Sequence, residues 1–169
     1  MKSLFSLLFF LLPFSVRANV VDVAGYQFVA PDDWQQSTPS SSMRKAQFDL
    51  KTEAGATAEL VFFYFGPSGG GGVRANLDRW IKQFKDLQKS DVSEDIIEDV
   101  KVTFARTEGT FLSGSPFGPK TPKPGYALLG AIVEGREGSI FLKLIGEKNA
   151  VLEFEDAVLA MIRGALTRD

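Results

Sequence analysis

The sequence predicts an α+β domain, an antiparallel β-sheet flanked by a helix on each face. Three observations carry that expectation. Leu60–Phe65 is apolar on both of its alternating faces, with Leu60, Phe62 and Tyr64 on one side and Val61, Phe63 and Phe65 on the other. Side chains alternate across a strand, so the sheet must be covered on both sides there. Ala127–Val133 repeats the pattern, and two amphipathic stretches far apart in the chain supply helices to cover the two faces.

Taken in order, the chain opens with Met1-Lys2, a Leu/Phe-rich run and Val16-Arg17-Ala18, the pattern of a secretory signal peptide cut after Ala18. The run is shorter than the roughly 20 residues a membrane span needs, and no later segment reads as a span. Residues 19–169 are then a single domain, exported to the periplasm or beyond. Removing Lys2 and Arg17 from the 19 basic residues leaves 17 against 21 acidic ones. Nothing in that balance offers the basic face that nucleic acid requires.

Val20–Asp22 and Tyr26–Val29 read as a hairpin across Ala24-Gly25. Asp32-Asp33 before Trp34 reads as a turn rather than an acid pair, because such carboxylates bond their own backbone. Ser37–Ser42 is a polar loop, and Met43–Leu50 a strand with Ala46, Phe48 and Leu50 on one face. After the central strand and the run Gly66–Gly72, a helix is expected over Val73–Leu87, its inner stripe made by Val73, Leu77, Trp80, Ile81, Phe84 and Leu87. Lys89–Asp99 lacks the glycine of a calcium loop and reads as a solvated connection. Strands are expected at Val100–Ala105 and Thr107–Leu112.

Ser113–Gly125 holds four of the 8 prolines and reads as a stiff, extended loop. Tyr126–Glu134 and Ser139–Ile145 form a hairpin across Gly135–Gly138. Asn149 is positioned to cap a final helix whose stripe is Val151, Phe154, Val158, Met161, Ile162 and Ala165.

The chain has no cysteine and no histidine. Thiol chemistry, disulfides, Ser-His-Asp triads and the usual zinc sites are therefore excluded, and no cofactor or metal is expected. The expectation is a protein that is not an enzyme.

Element order, with the Pro-x-x-Trp turn, resembles the PsbP-like α/β/α sandwich. More closely, the chain resembles an uncharacterised family of secreted bacterial proteins. The residues that carry this likeness are Ser42–Arg44, Ala58–Pro67, Asn76–Trp80, Pro124–Tyr126, Leu129–Glu134 and Phe141–Leu144. The resemblance implies an accessory or binding module, although fold alone does not assign function.

Two loops are the candidate binding elements. In the Gly-rich loop (66–72), Gly69, Gly70, Gly71, Gly72 and the neighbouring Arg74 could present backbone N–H groups to an anion at the helix start. The spacing matches neither a P-loop nor a dinucleotide fold. In the Pro/Lys-rich loop (113–125), Phe117 is a candidate anchor, with Lys120 and Lys123 the only charges. The leading expectation is a secreted module holding an envelope protein or component through both loops. The alternatives are a small-molecule or anion carrier using the helix start after Gly72, and a hydrolase built on Glu59, Glu108 or Glu134.

Overall fold

The computed structural model describes residues 19–115 and 118–167. The expected signal segment, residues 1–18, and the candidate anchor Phe117 lie outside them. The described chain is α+β, mostly antiparallel sheet with two helices. Strands β1 (Asn19–Val23) and β2 (Tyr26–Ala30) form a separate hairpin. Seven strands make the main sheet: β3 (Gln35–Ser37), β4 (Arg44–Lys51), β5 (Thr57–Tyr64), β6 (Phe84–Ile97), β7 (Val100–Ser113), β8 (Thr121–Gly135) and β9 (Gly138–Glu147). Their order across the sheet is β3-β4-β5-β9-β8-β7-β6. The helices are α1 (Val73–Ile81), between β5 and β6, and α2 (Lys148–Leu166), which ends the fold.

The alternation seen at β5 separates two bodies of core. Leu60 and Phe62 join Phe28, Phe48, Leu129, Leu142 and the α2 residues Val158 and Ile162. Phe62 lies at the centre of this cluster, edge-on to Phe28 at 5.3 Å and to Phe48 at 6.3 Å between ring centroids. A second, smaller cluster unites Leu77 and Trp80 of α1 with Phe84, Ala105, Leu128, Ile132 and Phe141. Strands β8 and β9 give alternate residues to the two clusters, as their period of two requires.

Five expectations are corrected. The first helix stops at Ile81 rather than Leu87; Phe84 is buried from the start of a strand, and Leu87 is exposed. The supposed connection at Lys89–Asp99 is mostly β6, paired with β7 from Lys89↔Glu108 to Ile97↔Val100. The two strands expected over Val100–Leu112 are one, bulged between Gly109 and Phe111. The stiff loop over Ser113–Gly125 is largely a hairpin, with Ser113↔Thr121 closing it and Pro122 opposite Leu112. Prolines fit there because β9 joins β8 only from Tyr126 onward, so Thr121–Gly125 is locally a sheet edge needing no second ladder. The last helix begins at Lys148, so Asn149 lies inside its first turn and makes no cap.

Within α2, Gly164 faces open space, with nothing in reach of an added β-carbon. Gly164→Ala should therefore raise stability by about 0.5–1 kcal/mol, the helix-propensity difference, read from a urea midpoint. No helix among the described residues is long and apolar enough to cross a membrane.

Candidate functional site

The site grows out of the way α1 is set on the sheet. Gly70 has φ +84°, and a β-carbon there would overlap the Phe141 ring. Only glycine turns the chain this closely over an aromatic side chain. The buried Asn76 side chain then ties the loop to the helix, its Nδ2 donating to Gly70 O at 2.8 Å and Gly72 O at 3.0 Å. Its Oδ1 accepts from Arg79 Nη2 at 2.5 Å, which fixes the guanidinium of the residue one turn further along the helix. Thus Gly70 and Gly72 turn their carbonyls inward onto Asn76. Arg74 is exposed and paired with Asp78 at 3.1 Å. None of Gly69, Gly70, Gly71, Gly72 and Arg74 lines the cavities that follow.

Beside α1 lies a cleft of about 300 Å³ with walls of Met43, Phe63, Phe65, Trp80 and Phe141. Met43 and Phe65 are exposed at its mouth. Its polar groups are Asn76, Arg79, Gln83 and Lys143. Lys143 comes from the middle of β9, where Leu142 and Leu144 turn into the larger core. Its Nζ donates to Gln83 Oε1 at 2.5 Å and lies 5.5 Å from the Phe111 ring centroid. Among the described residues no carboxylate is within ion-pair reach of it. The nearby Glu59 is bound by Arg44, which also lies over the Phe63 ring. Burial pushes the Lys143 ammonium down to about 8; Glu59 opposes the shift, and Arg44 and Arg79 add to it.

On the other side of Arg79 and Gln83 lies a groove of about 530 Å³ between α1 and the β7–β8 turn. It is lined by Asp78, Arg79, Lys82 and Gln83 from the helical side and by Leu112, Gly114 and Lys120 from the hairpin. Lys120 Nζ donates to Ser115 O at 2.6 Å and Gly114 O at 3.4 Å, so one ammonium both closes the turn and charges the groove. Lys123 separates from Lys120 because Thr121 begins the strand. It sits 5.2 Å from the Tyr126 ring, in a cavity of about 510 Å³ shared with Glu59 and Ile145.

Cleft and groove share Arg79 and Gln83, and together they converge Arg79, Lys82, Lys120 and Lys143. Among the described residues, the one carboxylate lining them is Asp78, already engaged by Arg74. Of the residues expected from sequence, Lys120 is in this site, Lys123 is in the neighbouring cavity, and the glycines act by placing α1. Arg79, Lys82, Gln83 and Lys143 were missed. Lys143 did have a signal, a lysine inside the apolar run Ile140–Ile145 of a central strand.

The three carboxylates weighed for hydrolysis do not converge. Glu59 pairs with Arg44, Glu108 with Lys148 at 2.5 Å, and Glu134 lies 3.9 Å from Lys101. The described residues contain no cluster of three or more acidic side chains that could hold a metal ion.

No family model and no curated protein matches the chain. Among solved structures, it is similar to a Pseudomonas aeruginosa protein of unknown function, at 16% identity and a TM-score of 0.49. That likeness covers 90% of this chain and 98% of the other.

Proposed function

We propose that this protein is an exported, non-enzymatic binding module that holds an anionic amphiphile, a component of the cell envelope, across the C-terminal turn of α1. The observation that carries the reading is the convergence of four cations on an aromatic-walled cleft and its adjoining groove, in a chain whose net charge is −2. Guanidinium and ammonium groups recognise the anionic head, and the rings of Phe63, Phe65, Trp80 and Phe141 receive the apolar part. The absence of histidine and cysteine supports binding over catalysis.

The fold belongs, in this reading, to the PsbP-like α/β/α sandwiches, with a helix on each face of the sheet. Support comes from the division of alternate β8 and β9 residues between the α1 and α2 clusters. The Gly-rich loop (66–72) serves by setting α1, and the β7–β8 hairpin contributes Lys120 directly. An anion at the helix start after Gly72 is the weaker alternative, because Arg74 is turned onto Asp78.

The test is titration with anilinonaphthalene sulfonate and with its uncharged counterpart phenylnaphthylamine, followed by fluorescence. The charged probe should bind at least about tenfold more tightly, roughly 1.4 kcal/mol, and weaken with salt. Arg79→Glu and Lys120→Glu should each remove most of that preference while leaving the neutral probe unaffected. Equal affinity for both probes, or variants that bind like the parent, would overturn the proposal.

A further inference from the structure

The sheet ends on one side at β3, only three residues long, and on the other at β6, fourteen residues long. From Lys85 to Ile96 every β6 residue is exposed, with Ile96 73% and Val92 46% accessible. The bulge between Lys85 and Lys89, with Asp86 at φ +51°, leaves Lys89–Ile97 as a regular run paired to β7 on one side and, among the described residues, open on the other. Such an edge offers a row of unpaired backbone groups to another strand.

We propose that β6 pairs antiparallel with β6 of a second copy of this chain, about a twofold axis at Val92, joining two seven-stranded sheets into one. The charge pattern selects that occupant. A twofold axis relating neighbouring antiparallel strands stands perpendicular to the sheet, so every side chain stays on its own face. The axis must then lie level with a residue of β6 rather than between two, since opposed side chains share a face. At Val92, Lys89 opposes the partner's Asp95, Ser90 the partner's Glu94, Asp91 the partner's Ser93, and Val92 its own copy. By symmetry the Lys89–Asp95 pair forms twice. An axis at Asp91 or at Glu94 sets a carboxylate against itself, and one at Ser93 sets Asp91 against Asp95. An axis at Ser90 or Asp95 leaves only a short overlap of the regular run.

Directly opposed opposite charges stabilise a sheet and like charges destabilise it. Among the described residues, neither Lys89 nor Asp95 has an ion-pair partner within its own chain; Glu108, opposite Lys89, is held by Lys148. A lysine on an edge strand normally repels indiscriminate pairing. Here its repulsion is answered by Asp95 only when the incoming strand is a second β6, so the edge is selective rather than blunt. The interface is isologous and closes as a dimer.

Sedimentation velocity of the chain from residue 19 onward tests this over a concentration series. The parent should be dimeric, whereas Lys89→Asp and Asp95→Lys should each sediment as monomers with unchanged near-UV circular dichroism. An equimolar mixture of the two variants should recover the dimer, because each strand then meets its complement. Because the chain has no cysteine, Val92→Cys should cross-link to a dimer on mild oxidation, and Ser90→Cys should not. A parent that stays monomeric at every concentration, single variants that dimerise like the parent, or a mixture that stays monomeric would each overturn the proposal.

Discussion

Gly130→Val should lower the free energy of unfolding by about 3 kcal/mol and abolish binding of the anionic probe in the same step. Gly130 lies in β8 between Ala105 and Lys143, and a β-carbon there would overlap the six-membered ring of Trp80. Trp80 cannot yield freely, since its other contacts include Phe141, edge-on at 6.5 Å. The helix that carries it has nine residues, too short to persist in water without its packing. Displacing Trp80 therefore releases α1, and Arg79 and Gln83 leave the site with it. Valine favours strands by up to about 1 kcal/mol, so intrinsic preference and packing predict opposite signs. A urea titration read by tryptophan fluorescence decides between them. A variant as stable as the parent would show that the sheet does not need Gly130 to seat the helix.

Lys143→Met should act in the opposite direction on stability and in the same direction on binding. The folded-state value of about 8 lies below the ordinary 10.5, so the fold disfavours the charged amine. Below about pH 8 the amine is protonated in both states, and the folded chain bears the full burial cost. Between about 8 and 10.5 the folded chain has already released the proton that the unfolded chain keeps, so stability gains as pH rises. Above that window the cost is gone. At pH 7 the methionine variant should therefore be more stable by about 1–3 kcal/mol, a range that discounts the full shift for the amine's partial contact with water. The advantage should shrink steadily as pH rises through the window. Affinity for the anionic probe should fall in the same variant, the pattern of a group kept for function at a cost to the fold. An advantage independent of pH would mean that the ammonium is not desolvated.

Much of this architecture was legible in the sequence. The two-faced apolar character of β5 and β8, the hairpins at Ala24-Gly25 and Gly135–Gly138, and the α2 stripe all followed from periodicity. Strand β6 did not, because a hydrophobic pattern registers only a strand with at least one buried face. Asp86–Asp95 is exposed throughout, and its conformation comes from pairing with β7 rather than from its own residues. The same segment misled the helix boundary, since Phe84 and Leu87 continue the helical spacing of Leu77, Trp80 and Ile81 by coincidence. At the site, the glycine run was visible as a feature but not as the support of α1, because its partner Asn76 bonds carbonyls that composition does not locate. The four converging cations come from α1, the segment just after it, the β7–β8 turn and β9, and only the topology brings them together.

The position of β9 between β5 and β8 also sets the timing of folding. Strand β5 pairs with β4 a few residues earlier, but its other edge waits for β9, with Ala58 meeting Gly146. A folding chain must therefore carry the Phe-rich stretch Leu60–Phe63 with one edge open until β9, about 80 residues further on, is available to it. Pairings this distant along the chain are slow to form, and an unsatisfied hydrophobic strand invites other chains meanwhile. Unfolded molecules of this protein should therefore depend on a holding chaperone until the segment up to Glu147 is free to pair.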